Sequence, residues 1–199
     1  MQTQVFVIHG GNTFDSYEEY FHYLQAKEVT LESLQYKDWK HDLSETLGEA
    51  YEVIAPRMPN GNNAKYVEWK IYFEKFIPFL RDGVIFVGHS LGGIFLAKYL
   101  SEEFFPKKIC AAFLVAAPFS AAAQHSLGDF ILSSDLRKFL QQGGQIFLYH
   151  SKDDEVVPFS NFEQYVSLLP DAKNRVFDDR NHLNQEDFPE LLIDIKTLN

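Results

Sequence analysis

Short apolar runs of strand length recur along the chain, at residues 4–8, 51–54, 84–87, 109–116, 146–149 and 175–177. Most are near-continuous rather than alternating, the pattern of strands covered on both faces. Longer segments between them carry apolar residues three and four apart. Residues 91–103 place Leu91, Phe95, Leu96, Tyr99 and Leu100 on one broad helical face. Residues 66–80 do the same with Trp69, Phe73, Phe76 and Phe79, although Pro78 should kink or end that helix. Residues 159–169 and 188–198 form two further amphipathic helices, the second with Asp187 placed to cap it and Pro189 in its first turn. Strand alternating with helix predicts an α/β protein with a mostly parallel sheet of about six strands, wound on both faces.

Two stretches break this rhythm. Residues 12–49 are long for one crossover and read as two helices, at 17–26 and 31–47. Residues 117–134 read as a loop with a turn or two of helix. Both follow the C-terminal ends of strands, where an open α/β sheet holds its ligands, and both are therefore expected to wall a binding site. No repeat or Pro/Gly-rich linker divides the 199 residues, so 1–199 reads as one domain.

Composition narrows the partners. Nineteen Phe and ten Tyr must fill much of the core. The formal net charge of -10 opposes a phosphate backbone and excludes nucleic acid as a natural partner. Cys110 is alone, so no intrachain disulfide can form, and its apolar surroundings mark it as a buried small hydrophobe. The first apolar run follows no basic segment, and the most apolar stretch, 111–123, contains Pro118 and is too short to span a bilayer. The expectation is a cytoplasmic protein without a membrane span; nothing in the sequence signals an oligomeric state.

The chemistry concentrates at Gly88-His89-Ser90-Leu91-Gly92-Gly93. A buried strand ends here and a helix starts at once. A serine on so sharp a turn takes a strained, positive φ, and its neighbours two before and two after come too close for a Cβ. Gly88 and Gly92 occupy those positions, and Gly93 lets the helix lie close to the sheet. Such a turn lifts the hydroxyl clear of the sheet and aims the Leu91 N–H at the place where an oxyanion would develop. A serine used as a nucleophile needs a general base, itself oriented by an acid. His125, His150 and His182 lie downstream, as do the adjacent acids Asp153, Asp154 and Glu155. Three acids in a row raise the question of a metal, but no matching histidine or carboxylate cluster accompanies them.

The Gly-His-Ser-Leu-Gly elbow, His9-Gly10-Gly11 after the first strand, and Asp154-Glu155-Val156-Val157-Pro158 together resemble the α/β-hydrolase superfamily over essentially the whole chain. Size and the segment from His182 to Leu191 are similar to the small hydrolases of the YdeN and retinoblastoma-binding-protein type, which lack a large lid domain. The resemblance implies an acid followed by a histidine after the serine. It points to Asp154 through the Asp-x-x-Val-Pro spacing and to His182 after the last strand, with Asp153 as the competing acid. It also implies a second oxyanion donor in the first loop, Gly11 N–H or Asn12. His9 is expected to hold that loop, His89 to face away and pack, His150 to support the acidic turn, and His125 at most to line the pocket.

The implied activity is hydrolysis of a small-molecule ester or thioester through an acyl-enzyme on Ser90, with no cofactor and no metal. Asn12 and Phe119, with Phe130, Trp39 and Trp69, are candidates for the substrate pocket, though core packing explains the aromatic ones equally well. The elbow sequence, shared with many esterases and lipases, and the long 12–49 insertion depart from the small-hydrolase pattern. An acyltransferase would use the same three residues, and a catalytically idle binding protein could keep the scaffold.

Overall fold

A computed structural model describes residues 2–120 and 126–198; His125 lies outside them. Six strands form one parallel sheet: β1 (Thr3–Ile8), β2 (Tyr51–Ile54), β3 (Val84–His89), β4 (Ile109–Val115), β5 (Gln145–Ser151) and β6 (Lys173–Phe177). Their order is β2-β1-β3-β4-β5-β6, so the winding reverses between β1 and β3. The loops after those two strands diverge there and open a crevice. They carry Gly11 and Ser90.

The apolar runs sort by parity. Phe6, Ile8, Phe86, Ala112, Leu114, Ile146 and Leu148 face one core. Val5, Val7, Ile85, Val87, Phe113, Val115, Phe147 and Tyr149 face the other. The first core is closed by α4 (Tyr66–Glu74), α5 (Leu91–Glu102), α6 (Arg137–Gln142) and α7 (Ser160–Leu168). The second is closed by Trp39, α3 (Leu43–Leu47) and α8 (Pro189–Lys196). Aromatic rings do much of the filling: Phe113 and Phe147 stack at 4.3 Å on adjacent strands, and Phe73 meets Phe6, Phe86, Phe95 and Tyr99.

Four expectations are corrected. Residues 31–47 are not one helix: α2 (Leu31–Gln35) and α3 are separated by a non-helical strap that turns at residues 39–41. Asp38 turns its carboxylate on the Lys40 N–H, and Trp39 spends its own N–H on Gln185 O, so a helical ladder cannot run through. The helix from residue 66 ends at Glu74, and Pro78 falls in a 3₁₀ turn, Ile77–Phe79. Asp187 does not cap α8; Phe188, buried against Trp39 and Tyr149, takes the capping position without a side-chain bond. Among the described residues of 117–134 no helix forms, whereas α6, absent from the periodicity reading, follows at Arg137. In the insertion, α1 (Tyr17–Ala26) forms as expected, capped by Ser16 Oγ accepting from Glu19 N–H, and buries none of its residues in the core.

Candidate active site

The β3–α5 turn determines where Ser90 sits. Its backbone has φ 54° and ψ -123°, a conformation an L-residue holds only under constraint. The constraint is crowding: a Cβ on Gly88 would overlap the backbone of Gly92 and Gly93, and one on Gly92 would overlap the carbonyl of Ile8 at the end of β1. Gly93 approaches Ala117, just past β4. The close seating of α5 on three strand ends thus rests on the absence of three side chains.

Ser90, His182 and Asp154 form a continuous hydrogen-bonded chain. Ser90 Oγ lies 2.9 Å from His182 Nε2, and His182 Nδ1 lies 2.8 Å and 3.1 Å from the two Asp154 oxygens. A carboxylate can only accept, so Nδ1 carries the proton and Nε2 is free to accept from the serine. Asp154 is buried, and its Oδ1 also accepts from the Val156 and Val157 N–H groups, each at 2.9 Å. The Val-Val that follows the acid therefore supplies the hydrogen bonds that keep an ionised carboxylate tolerable under the surface.

Asp153 stands differently. It is exposed, accepts from Ser151 Oγ (2.5 Å) and from Asn181 N–H (2.9 Å), and makes no hydrogen bond to the His182 ring. Those bonds, the serine hydroxyl first, hold its carboxyl below the usual range. Asp153 thereby ties the β5 turn to the loop bearing His182. His150 is buried beneath the turn and donates from Nε2 to Val157 O at 2.9 Å; burial lowers its proton affinity.

Gly11 and Leu91 border the same cavity as Ser90, and neither N–H has a protein acceptor among the described residues. The Asn12 N–H is already given to Gly61 O (2.9 Å), so of the two candidates Gly11 is the one whose backbone N–H is free. The position demands glycine, since a Cβ would come within 2.7 Å of Gly61 O and 3.2 Å of the Leu91 side chain. His9 holds the loop: its Nε2 accepts from Met58 N–H at 2.8 Å and its Nδ1 donates to Gly10 O.

The cavity has a volume of about 460 Å³. Its walls come from the first loop (Asn12, Thr13, Phe14), from α1 (Glu19, His22, Tyr23), from the segment after β4 (Pro118, Ser120, Ser126, Leu127) and from Val156, Val157, Pro158 and Asn161. Both irregular stretches contribute walls, and Asn12 is among them, its amide donating to Tyr23 O–H at 3.3 Å. Phe119 is not: its ring packs edge-on against Tyr165, while its N–H is held at 2.8 Å by buried Asn161. Trp69 and Phe130 lie in the first core and Trp39 in the second, so none of the proposed aromatic residues lines the cavity. The stretch carrying α1 was expected to wall the site, but its individual pocket residues and Asn161 were not singled out. They are polar residues on helices, which sequence alone reads as a solvated face. Among the described residues no group of three His, Cys, Asp or Glu is arranged to hold a metal ion.

His89 does more than pack. Its buried ring donates from Nε2 to the carbonyl of His182 at 2.9 Å, and Lys40 Nζ approaches Nδ1 at 3.4 Å. Burial first, then the Lys40 charge, push its proton affinity well below that of an ordinary histidine.

A buried parallel sheet, a strained serine after β3 and the Ser90–His182–Asp154 chain define a class, the α/β hydrolases with a serine at the elbow. The model of the family described as "Serine hydrolase" matches residues 31–190, and the chain belongs to that family. It is 25% identical over 151 residues to the serine hydrolase RBBP9 of Rattus norvegicus, covering 74% of this chain and 78% of the relative. Its fold is similar to the crystal structure of the ydeN gene product from B. subtilis, with a TM-score of 0.75, 19% identity, and coverage of 99% and 98% of the two chains. A meta-cleavage product hydrolase from Pseudomonas fluorescens is also similar, with a TM-score of 0.67, 14% identity, and coverage of 98% and 90%.

Proposed function

We propose that this serine hydrolase cleaves a small-molecule carboxylic ester or thioester through an acyl-enzyme on Ser90. The reading is carried by one observation, the unbroken hydrogen-bonded chain from Ser90 Oγ through His182 to Asp154. Ser90 attacks the carbonyl carbon as His182 Nε2 takes its proton. Asp154 keeps the proton on Nδ1 and stabilises the imidazolium that forms. The Gly11 and Leu91 N–H groups donate to the oxyanion, helped by the N-terminus of α5. His182 then protonates the leaving group and activates a water, which releases the acid and restores Ser90.

The cavity supports a neutral substrate. Leu91, Leu127, Val156, Val157, Pro118 and Pro158 give it apolar wall, and no lysine or arginine lines it among the described residues. The undescribed residues 121–125 contain neither. A phosphate- or carboxylate-bearing acyl group would meet no compensating cation, and Glu19 would repel it.

The test is a panel of p-nitrophenyl esters and short acyl thioesters, assayed with the wild type and Ser90→Ala. Neutral acyl groups should turn over, and a terminal carboxylate of matched length should lower kcat/KM by about tenfold at low salt. Turnover that survives Ser90→Ala would contradict the proposed reaction.

A further inference from the structure

The strap between α2 and α3 reaches the loop that carries His182. Four consecutive carbonyls of that loop are caught from one side. His182 O accepts from His89 Nε2 (2.9 Å), Leu183 O from Trp39 Nε1 (2.9 Å), Asn184 O from Tyr36 O–H (2.6 Å) and Gln185 O from Trp39 N–H (2.9 Å). Upstream, the N–H groups of Arg180 and Asn181 are held by Ser151 Oγ and Asp153 Oδ1 from the β5 turn.

The loop needs holding. His182 lies between two non-glycine residues in the left-handed region, Asn181 at φ 47° and Leu183 at φ 52°, and the Leu183 side chain is fully buried. Such conformations persist only where the surroundings over-determine them. Their relaxation would swing the imidazole away from Ser90.

We propose that Tyr36, Trp39 and His89 are positioning residues, a clamp that holds the loop of residues 180–185 in the strained form in which His182 Nε2 meets Ser90 Oγ. The inference rests on the reading of His182 as general base. Lys40 belongs to the same device. Its Nζ, anchored 2.5 Å from the Asp38 carboxylate and lying over the Trp39 ring, faces His89 Nδ1. With a cation there, Nδ1 acts as acceptor and Nε2 keeps the proton it gives to His182 O. The insertion thus serves the site twice, with α1 as pocket wall and the strap as support for the base.

Trp39→Phe removes the indole N–H while keeping a ring against Phe188 and His89; Tyr36→Phe removes one largely exposed hydroxyl and leaves folding undisturbed. With a p-nitrophenyl ester, Trp39→Phe should lower kcat about tenfold and Tyr36→Phe about threefold, with KM within about twofold of wild type. Amide hydrogen exchange should quicken at residues 180–185 in both variants and stay unchanged in the strands. Unaltered exchange in that loop, or a lower melting temperature with wild-type kcat in folded Tyr36→Phe and Trp39→Phe, would overturn the clamp. A wild type that neither turns over esters nor labels at Ser90 would instead overturn the hydrolase reading beneath it, while the exchange measurement still decides whether the strap holds the loop.

Discussion

Asp153 and Asp154 are neighbours in sequence with opposite surroundings. Asp154 is buried, takes two backbone N–H groups on one oxygen and faces the imidazole; Asp153 is exposed and staples two loops. Asp154→Asn should lower kcat by about three to four orders of magnitude, because an amide cannot hold the required tautomer. Asp153→Asn keeps an oxygen acceptor and should stay within about tenfold of wild type, with the loss read as faster opening of the base loop. Steady-state kinetics on the two variants checks both, and the reverse ranking would reassign the acid. At this scale the sequence was most legible where chemistry demands a residue type at a fixed spacing. The elbow glycines are such a case, since each excludes a Cβ from a backbone contact. The cavity wall was not legible: Phe119 points into the core while its neighbours Pro118 and Ser120 face the cavity, a one-residue distinction that loops leave unmarked.

Among the elements, β3 and α5 were read to within a residue or two, because a buried run ending in Gly-x-Ser-x-Gly leaves one way to turn. Gly92→Ala would press a methyl group against the Ile8 carbonyl of β1. It should cost about 1–3 kcal/mol and lower the melting temperature by roughly 3–10 °C, since neither backbone can retreat. Thermal unfolding followed by circular dichroism checks this, and an unchanged transition would mean that α5 is free to shift. The insertion was the least legible element. Its helical periodicity continued past Gln35, yet Trp39 is buried 144 residues away in sequence from its acceptor Leu183 O, and that tertiary bond overrides the local preference. Edge strand β6 shows the same limit, since its first residues, Lys173 and Asn174, are exposed and polar and join β5 through the backbone ladder and a Lys173 Nζ bond to Gln145 Oε1 rather than through an apolar run.

For the whole molecule, alternation of buried runs with helices was enough to predict a parallel sheet, and the parity of each run to build two cores. The same packing makes stability depend on pH. His89 and His150 are buried and neutral, and both bind protons less readily in the fold than in the unfolded chain. As pH falls the unfolded state takes up protons first, so their contribution is present above about pH 6.5, the unfolded histidine value, and is lost below it. Each should add up to about 1.4 kcal/mol per pH unit to the acid slope. Urea unfolding between pH 7 and pH 5 should show the decline, and His150→Gln should flatten it. A flat profile in the wild type would mean that the two rings accept protons without cost.

The central claim is that Ser90 is a nucleophile activated by His182. Its most direct test is reaction with a fluorophosphonate probe, followed by mass spectrometry of the digested protein. A single adduct on the peptide containing Ser90 is predicted, absent in Ser90→Ala and slowed by at least about a thousandfold in His182→Ala. An unlabelled wild type, or equal labelling in His182→Ala, would contradict it.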